Sequence, residues 1–286
     1  MMFSELVTSV NVGLIFGVAA IGIYITFRTI NFADLTCDGS FVTGAAVSAV
    51  LVKAGGDPYF ALIASLFAGG LAGAATGLLN VKCKIADLLA GIIVAFMLYS
   101  INLRIMHNSP NITFIDNTTV FTNNNILLTT IFILIPIVLC LIFMLFSGFG
   151  LKLRATGYNK KFALSSGINI ATMTVAGVVI SNALVAFAGS LFAQYQGFCD
   201  VSQGAGTLIT GLTAVVIGEK ILQFKKEPFL LLSCLLGAVL YRIFINIALH
   251  GDTLGVRTQD INLITGLIII AVITMKRREK CSGSPV

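Results

Sequence analysis

Two carboxylates stand four residues apart in Asn31-Phe-Ala-Asp34-Leu-Thr-Cys-Asp38-Gly39, at or just inside the start of an apolar stretch. A charge at the centre of a bilayer costs about 2.5–3.5 kcal/mol on insertion scales, so the pair needs a reason to be there. Two readings are open. In one, the helix is broken here and its polar turn, with Asn31 and Gly39, lines a path across the membrane. In the other, Asp34 and Asp38 lie at the membrane interface and cap the helix that follows. Little else in the chain could do chemistry. The only histidines are His107 and His250, and the six cysteines (37, 83, 140, 199, 234 and 281) form no CxxC pair. Each cysteine reads as a small buried hydrophobe, and neither a metal site nor a disulfide is expected. No catalytic residue is expected either. A G-x-x-x-x-G-K-[ST] phosphate loop is absent from the 286 residues, so any ATP-driven work must be done in trans.

The elements that must position these residues follow from composition. Hydrophobic residues make up 57% of the chain and charged residues 10%, with a mean hydropathy of +0.98. Soluble domains carry roughly 25% charged residues, so this chain suits a lipid bilayer and not an aqueous enzyme. The net charge of +6 is accordingly read as loop charge and not as a nucleic-acid footprint. No basic stretch precedes the first apolar run, so a cleaved signal peptide is not expected.

Stretches of about 20 apolar residues predict an all-α polytopic protein forming one membrane domain over 1–286, with helices near 6–27, 36–53, 59–80, 86–106, 126–147, 171–193, 207–222, 228–248 and 261–275. The second and seventh are short, Gly-rich and interrupted by polar residues. Nine spans (eight to ten) place 14 of the 18 Lys and Arg on one face, including Arg28, Lys82, Lys84, the 148–170 segment and the basic 276–286 tail. The other face keeps Lys53, Arg104, Arg242 and Arg257. By the positive-inside rule the C-terminus is cytoplasmic and the N-terminus outside. The outer face then holds the polar loops 107–125 and 249–260. Asn111-Ile-Thr113 and Asn117-Thr-Thr119 match a glycosylation pattern, to which an Asn-rich loop lends no weight.

The cytoplasmic segment 148–170, GFGLKLRATGYNKKFALSSGINI, is the longest polar interruption on its face. Its second half returns to helical spacing, with Phe162, Ala163, Ser166 and Ile170 on one side. It reads as a short amphipathic helix over 157–168 or as a basic loop held at lipid headgroups. A further pattern is internal. Asp34 to Gly44 echoes Asp200 to Gly211 with one residue inserted, and each precedes an Ala-rich helix, as in transporters built from repeats. Asn102 and Asn246 read as hydrogen-bonding glue between helices, whereas Ser181 and Asn182 are candidates for the path. Gly69, Gly70, Gly73 and Gly77 make a small-residue packing face. Glu219 is expected to form an interfacial ion pair beside Lys220.

Three blocks, in this order, carry a family resemblance. Ile30-Asn31-Phe32-Ala33 with Gly39 and Gly44-Ala45 is one. Gly150-x-x-x-Arg154-Ala155-Thr156-Gly157-x-Asn159 with Ala163 and Gly167-Ile168 is the second. Gly204-x-Gly206 running into Leu212-Thr-Ala-Val-Val-Ile-Gly-Glu219 is the third. Together they resemble the membrane permeases of bacterial ABC importers of the branched-chain amino acid and simple-sugar superfamily, over about residues 12–275. The resemblance implies a non-hydrolytic subunit of the inner membrane. Its partners would be two cytoplasmic ATPases using ATP and magnesium, a second permease chain and an extracytoplasmic solute-binding protein. The chain itself would bind no cofactor and no nucleic acid.

On this resemblance the 157–168 helix docks in a groove of the ATPase and acts as a stiff lever on the spans. Arg154 would meet ATPase acids or position the loop. Gly157 would permit the turn into the helix, while Ala163 and Gly167 would allow close approach; Ala155, Thr156, Asn159 and Ile168 complete the segment, and Tyr158 receives no role. Asn31, Asp34, Asp38, Gly39, Ser181 and Asn182 are the expected pathway residues. The solute would be an amino acid or related small polar metabolite. The rival is an ion-coupled carrier, in which Asp34 and Asp38 form a proton or sodium site and no coupling helix is needed.

Overall fold

A computed structural model describes residues 2–122, 125–222, 227–250 and 266. Among them the chain is helical apart from one short ribbon. Helix α1 (Met2–Tyr24) runs directly into a π-helical turn, Ile25–Thr29, and the chain then bends before α2 (Thr36–Lys53). There follow α3 (Pro58–Cys83), α4 (Asp87–Ile105), strand β1 (Asn111–Thr113), α5 (Ile126–Phe146), α6 (Gly148–Tyr158), α7 (Lys160–Ser165), α8 (Ile170–Gln196), strand β2 (Phe198–Asp200), α9 (Thr207–Ile221) and α10 (Glu227–His250). Eight of the nine expected helices are therefore present, 36–53 with the expected bounds. The ninth, 261–275, together with the 249–260 loop, Lys225, Lys226 and the 276–286 tail, lies outside the described residues, save the C-terminal edge of α10 and Gly266.

Length and composition suit six of these helices to crossing a membrane: Glu5–Thr29, Pro58–Cys83, Asp87–Ile105, Ile126–Phe146, Ile170–Gln196 and Phe229–Ala248. The fold is that of an integral membrane protein. Helices α2 and α9, of 18 and 15 residues, fall outside that set. Glycines and threonines thin the apolar run in both, and α2 also carries Asp38.

Helix α8 is the most buried of the long helices and forms the centre of the bundle, against α1, α2 and α3. Small residues let these axes approach: a Cβ at Gly44 would lie 1.8 Å from the Ala186 carbonyl oxygen, so only glycine fits there. Gly69 and Gly73 likewise bring α3 onto α8 at Asn182 and Val178. The core beside this seam is aromatic, with Phe16 edge-on to Phe192 at 5.0 Å between centroids and Phe41 completing the cluster. Asp57 accepts the Tyr59 amide at 2.8 Å and Pro58 occupies the first turn, which fixes the start of α3.

The helices define two ends. At one, α5 leads into α6 and α7 beside the π-turn. At the other, β1 pairs antiparallel with β2, Ile112 opposite Cys199, so the 107–125 loop folds onto the connection after α8. Gln194, almost fully buried, ties this end together: it accepts the Val120 amide at 3.2 Å and donates to Ser48 Oγ at 3.0 Å and the Pro58 carbonyl at 3.1 Å.

Arg242 lies within α10, inside the expected 228–248 helix, its guanidinium 4.1 Å from the centroid of the Phe16 ring, where the ring face offsets part of the charge. Two expectations change. Glu219 pairs with Arg28 on the π-turn, at 2.5 Å, and not with its neighbour Lys220. Of the cysteines, Cys37, Cys199 and Cys234 are buried as expected, but Cys83 and Cys140 are exposed.

Candidate functional site

The coupling segment is two helices and not one. Helix α5 ends at Ser147, whose backbone turns extended (ψ 167°), and α6 begins at once. Arg154 reaches back across this corner, donating to the Leu145 carbonyl at 3.2 Å and the Gly150 carbonyl at 3.4 Å, so it ties the last turn of α5 to the first turn of α6. Thr156 is buried with its hydroxyl on the Lys152 carbonyl at 2.9 Å, and Ala155 is half-buried beside it.

Gly157 does not start the coupling helix. It lies inside α6, where a Cβ would sit 2.0 Å from the Thr29 carbonyl oxygen, so its role is close packing on the π-turn. The break comes at Asn159 (φ −153°, ψ 102°), whose Oδ1 accepts the Lys161 amide at 3.0 Å and the Phe162 amide at 3.1 Å and so caps α7.

Helix α7 then spans only Lys160–Ser165, shorter than the expected 157–168. Gly167 ends it. Its φ of +74° and the pair of bonds Gly167 N to Leu164 O (3.0 Å) and Ile168 N to Ala163 O (3.0 Å) form a Schellman turn, which favours glycine. Nothing lies within 4 Å of a Cβ built there, so within this chain Gly167 serves the turn and not a close approach. Of the residues expected on one face only Ala163 is buried. Phe162 is 63% exposed, Leu164 62% and Tyr158 79%. A charged, capped, six-residue helix thus presents an apolar surface outward.

The second region is a polar centre inside the bundle. Asp34 is fully buried. Its Oδ1 accepts the Thr36 amide at 2.8 Å and its Oδ2 accepts the Asn182 amide group at 2.6 Å. Asn182 Oδ1 in turn accepts from Ser40 at 2.7 Å, and Thr36 and Thr76 share a hydrogen bond of 2.7 Å. This network fastens α2 to α3 and α8. Asn182 lies about 18 Å along α8 from Ile170, given 1.5 Å per residue. Asp34 therefore caps the start of α2, as one reading of the sequence has it, but within the bundle and not at an interface. Ser181 is also fully buried, donating to the Gly22 carbonyl at 2.7 Å.

Asp38 caps a different helix. Its Oδ1 accepts the Leu208 amide at 2.9 Å and its Oδ2 the Gly206 amide at 3.2 Å, at the start of α9, where Gly206 offers no side chain of its own. The two segments that echo one another in sequence thus meet at their helix starts. Asp38 and Gly39 line a cavity of about 800 Å³ together with Tyr99, Asn102, Ser202 and Gly204. Asn31 stands apart, exposed at the bend after the π-turn with φ 52°, a conformation few residues other than glycine adopt. The pathway candidates consequently divide: Asp38 and Gly39 face a cavity, Asp34, Ser181 and Asn182 are sealed behind it, and Asn31 lies at the coupling end. Asn102 and Asn246 donate to the Gly39 and Glu5 carbonyls as interhelical glue. The roles of Gln194 and Thr76, and that of Asp38 at the start of α9, carry no local sequence signal.

Comparisons with known proteins bear on both regions. Residues 6–273 match the family described as "Branched-chain amino acid transport system / permease component". A tyrosine transport system permease protein of Clostridioides difficile is 38% identical over 272 residues, 94% of this chain and 90% of that protein. A nucleoside ABC transporter permease of Lactococcus lactis is 33% identical over 104 residues, 36% of this chain and 30% of that one. Two solved structures share the fold. One, assigned to the metal-chelate type of ABC transporter and in an inward-facing conformation, has a TM-score of 0.53 at 16% identity, covering 95% of this chain and 85% of its own. PsaBC of Streptococcus pneumoniae also scores 0.53, at 14% identity, covering 94% and 89%. The chain belongs to the branched-chain amino acid transport system permease family, and is a non-hydrolytic, membrane-spanning subunit of an ABC transporter whose ATP is hydrolysed by partner ATPases.

Proposed function

We propose that this chain is the permease of an importer for an amino acid or closely related polar metabolite, working in the bacterial inner membrane. The observation that carries the coupling half of this reading is the outward apolar surface of Phe162 and Leu164 on the capped helix α7, with Tyr158 at the end of α6 before it. Exposed apolar groups beside Lys160 and Lys161 suit the groove of a soluble protein. On this reading Arg154, through Leu145 and Gly150, holds α6 at a fixed angle to α5, and Ala155, Thr156 and Gly157 seat it on the π-turn. Asn159, Ala163, Gly167 and Ile168 define α7, which enters the ATPase. Two such ATPases, using ATP and magnesium that this chain does not bind, would serve two permease chains. A solute-binding protein would deliver at the 107–125 end.

The amino-acid assignment rests on the Clostridioides difficile relative. The path is read along Asp38, Gly39, Tyr99 and Asn102, with Asp34, Asn182 and Ser181 as its backing and Asn31 at its cytoplasmic end. Nine spans are inferred, α2 and α9 being the short ones and 261–275 the last, with the N-terminus outside and the C-terminus cytoplasmic. The ion-coupled alternative is not favoured: the Asp34 and Asp38 carboxylates already serve helix starts, and such a carrier has no use for α7.

The test is affinity purification of the tagged chain from gently solubilised native membranes, beside a variant carrying Arg154→Glu and Gly157→Pro. A P-loop ATPase is expected with the wild type and lost from the variant. A wild-type chain that never brings one down would overturn the reading.

A further inference from the structure

Helix α9 is held at both of its ends by one short stretch of chain far away in sequence. At its start, Asp38 accepts the amides of Gly206 and Leu208. In its last turn Glu219 lies against the partial negative charge of a helix C-terminus, an unfavourable place for a carboxylate, and Arg28 compensates by pairing with it at 2.5 Å. Arg28 and Asp38 sit at either end of the segment formed by the π-turn, the bend at Asn31 and the first turn of α2.

That same segment bears the coupling helices. The Thr29 carbonyl is the group on which Gly157 closes, and Ile30 packs on Gly177 of α8. The π-turn is also locally distinct: Ile30 N bonds to Ile25 O at 3.1 Å and Phe32 N to Thr26 O at 2.9 Å, so the backbone is wider than an α-helix and the chain can change direction without losing its hydrogen bonds. At the far end of α9, Gly204 and Ala205 form part of the wall of the cavity.

We infer that Arg28, Glu219 and Asp38 are positioning residues that lock α9 to the 25–38 segment, so that displacement of the coupling helices at Gly157 reaches the cavity wall at Gly204 and Ala205. This rests on the permease reading. Asp38 holds α9 at Leu208 and Arg28 holds it at Glu219, about 17 Å apart at 1.5 Å per residue. Held at two points, α9 follows the segment as a rigid rod. Along its length α9 also packs on α1 and α10, so the two polar contacts are what tie its ends to the segment itself.

The experiment needs no knowledge of the solute. Ala205, exposed at the cavity, is replaced by cysteine in a chain whose native cysteines are Ala or Ser. The complex with its ATPase is reconstituted, and the labelling rate of the new thiol by a polar maleimide is compared with and without ATP and vanadate. The lock predicts a change in rate of about tenfold between nucleotide states, falling below about twofold in Arg28→Glu while the ATPase stays bound and hydrolyses ATP. The double variant Arg28→Glu with Glu219→Arg restores the change. Should Arg28→Glu fail to assemble, Glu219→Ala takes its place and loses the change, whereas Glu219→Asp keeps it. An undiminished change in the single variants, or no rescue by the exchanged pair in an intact complex, overturns the lock. A thiol indifferent to nucleotide in the parent complex overturns it too and leaves the permease reading standing; absence of any ATPase removes that reading itself.

Discussion

The coupling segment and the polar centre solve opposite problems. In α6 and α7 most polar side chains bond close by in sequence: Arg154 to residues four and nine positions back, Asn159 to amides two and three ahead. Leu153 and Ala163 are buried, whereas Leu151, Phe162 and Leu164 face outward. In the centre the apolar groups are packed and the polar ones reach across the fold, Asp34 to Asn182 over 148 residues and Asp38 to Leu208 over 170. A surface turned outward can be specified by a local motif. A charge inside a membrane bundle must be satisfied by whatever the fold brings to it, because neither water nor lipid will serve.

The contrast makes graded predictions about chain stability. The largest loss is expected from Asn182→Ala, which strips a donor from the sealed Asp34 carboxylate and an acceptor from Ser40: about 2–3 kcal/mol, seen as a lowered melting temperature of the solubilised chain. Gln194→Ala, which breaks three buried bonds with partners on other elements, is expected to cost about 1–2 kcal/mol in the same melt. Asn159→Ala removes only a cap, about 1 kcal/mol confined to α7, and is best detected as faster amide exchange over 160–165 with the overall melt little moved. Phe162→Ser should shift stability by less than about 0.5 kcal/mol, since the side chain is exposed, yet abolish co-purification of the ATPase. A melt lowered by Phe162→Ser as far as by Asn182→Ala would erase the distinction between the regions.

The same contrast explains what the sequence made legible. Apolar runs located the helices to within a few residues, since a bilayer imposes one length on every span. The 148–170 segment stands out by its Gly, Arg and Asn at fixed spacing, but its division into two helices does not. A glycine at a close contact and a glycine at a turn look alike in sequence, so the close packing of Gly157 on Thr29 and the turn at Gly167 are not told apart. Arg242 falls within its expected helix, but nothing local announces that Phe16, far away in the chain, will lie beneath its guanidinium. Asp38 is legible as a path residue or as a cap on its own helix, but its cap on α9 is not, because a hydrogen bond between helices leaves no periodic trace in either one. Nor does the pairing of Arg28 with Glu219, each of which has charged neighbours closer in sequence.

The central claim is that the chain meets an ATPase at α7 and nowhere in its polar centre. The most direct measurement places a photo-activated cross-linking amino acid at Phe162, and separately at Asn182, in the full chain within native membranes. The account predicts that position 162 captures a P-loop ATPase and that position 182 yields only cross-links within the chain. An ATPase captured from both positions, or from neither, would contradict it.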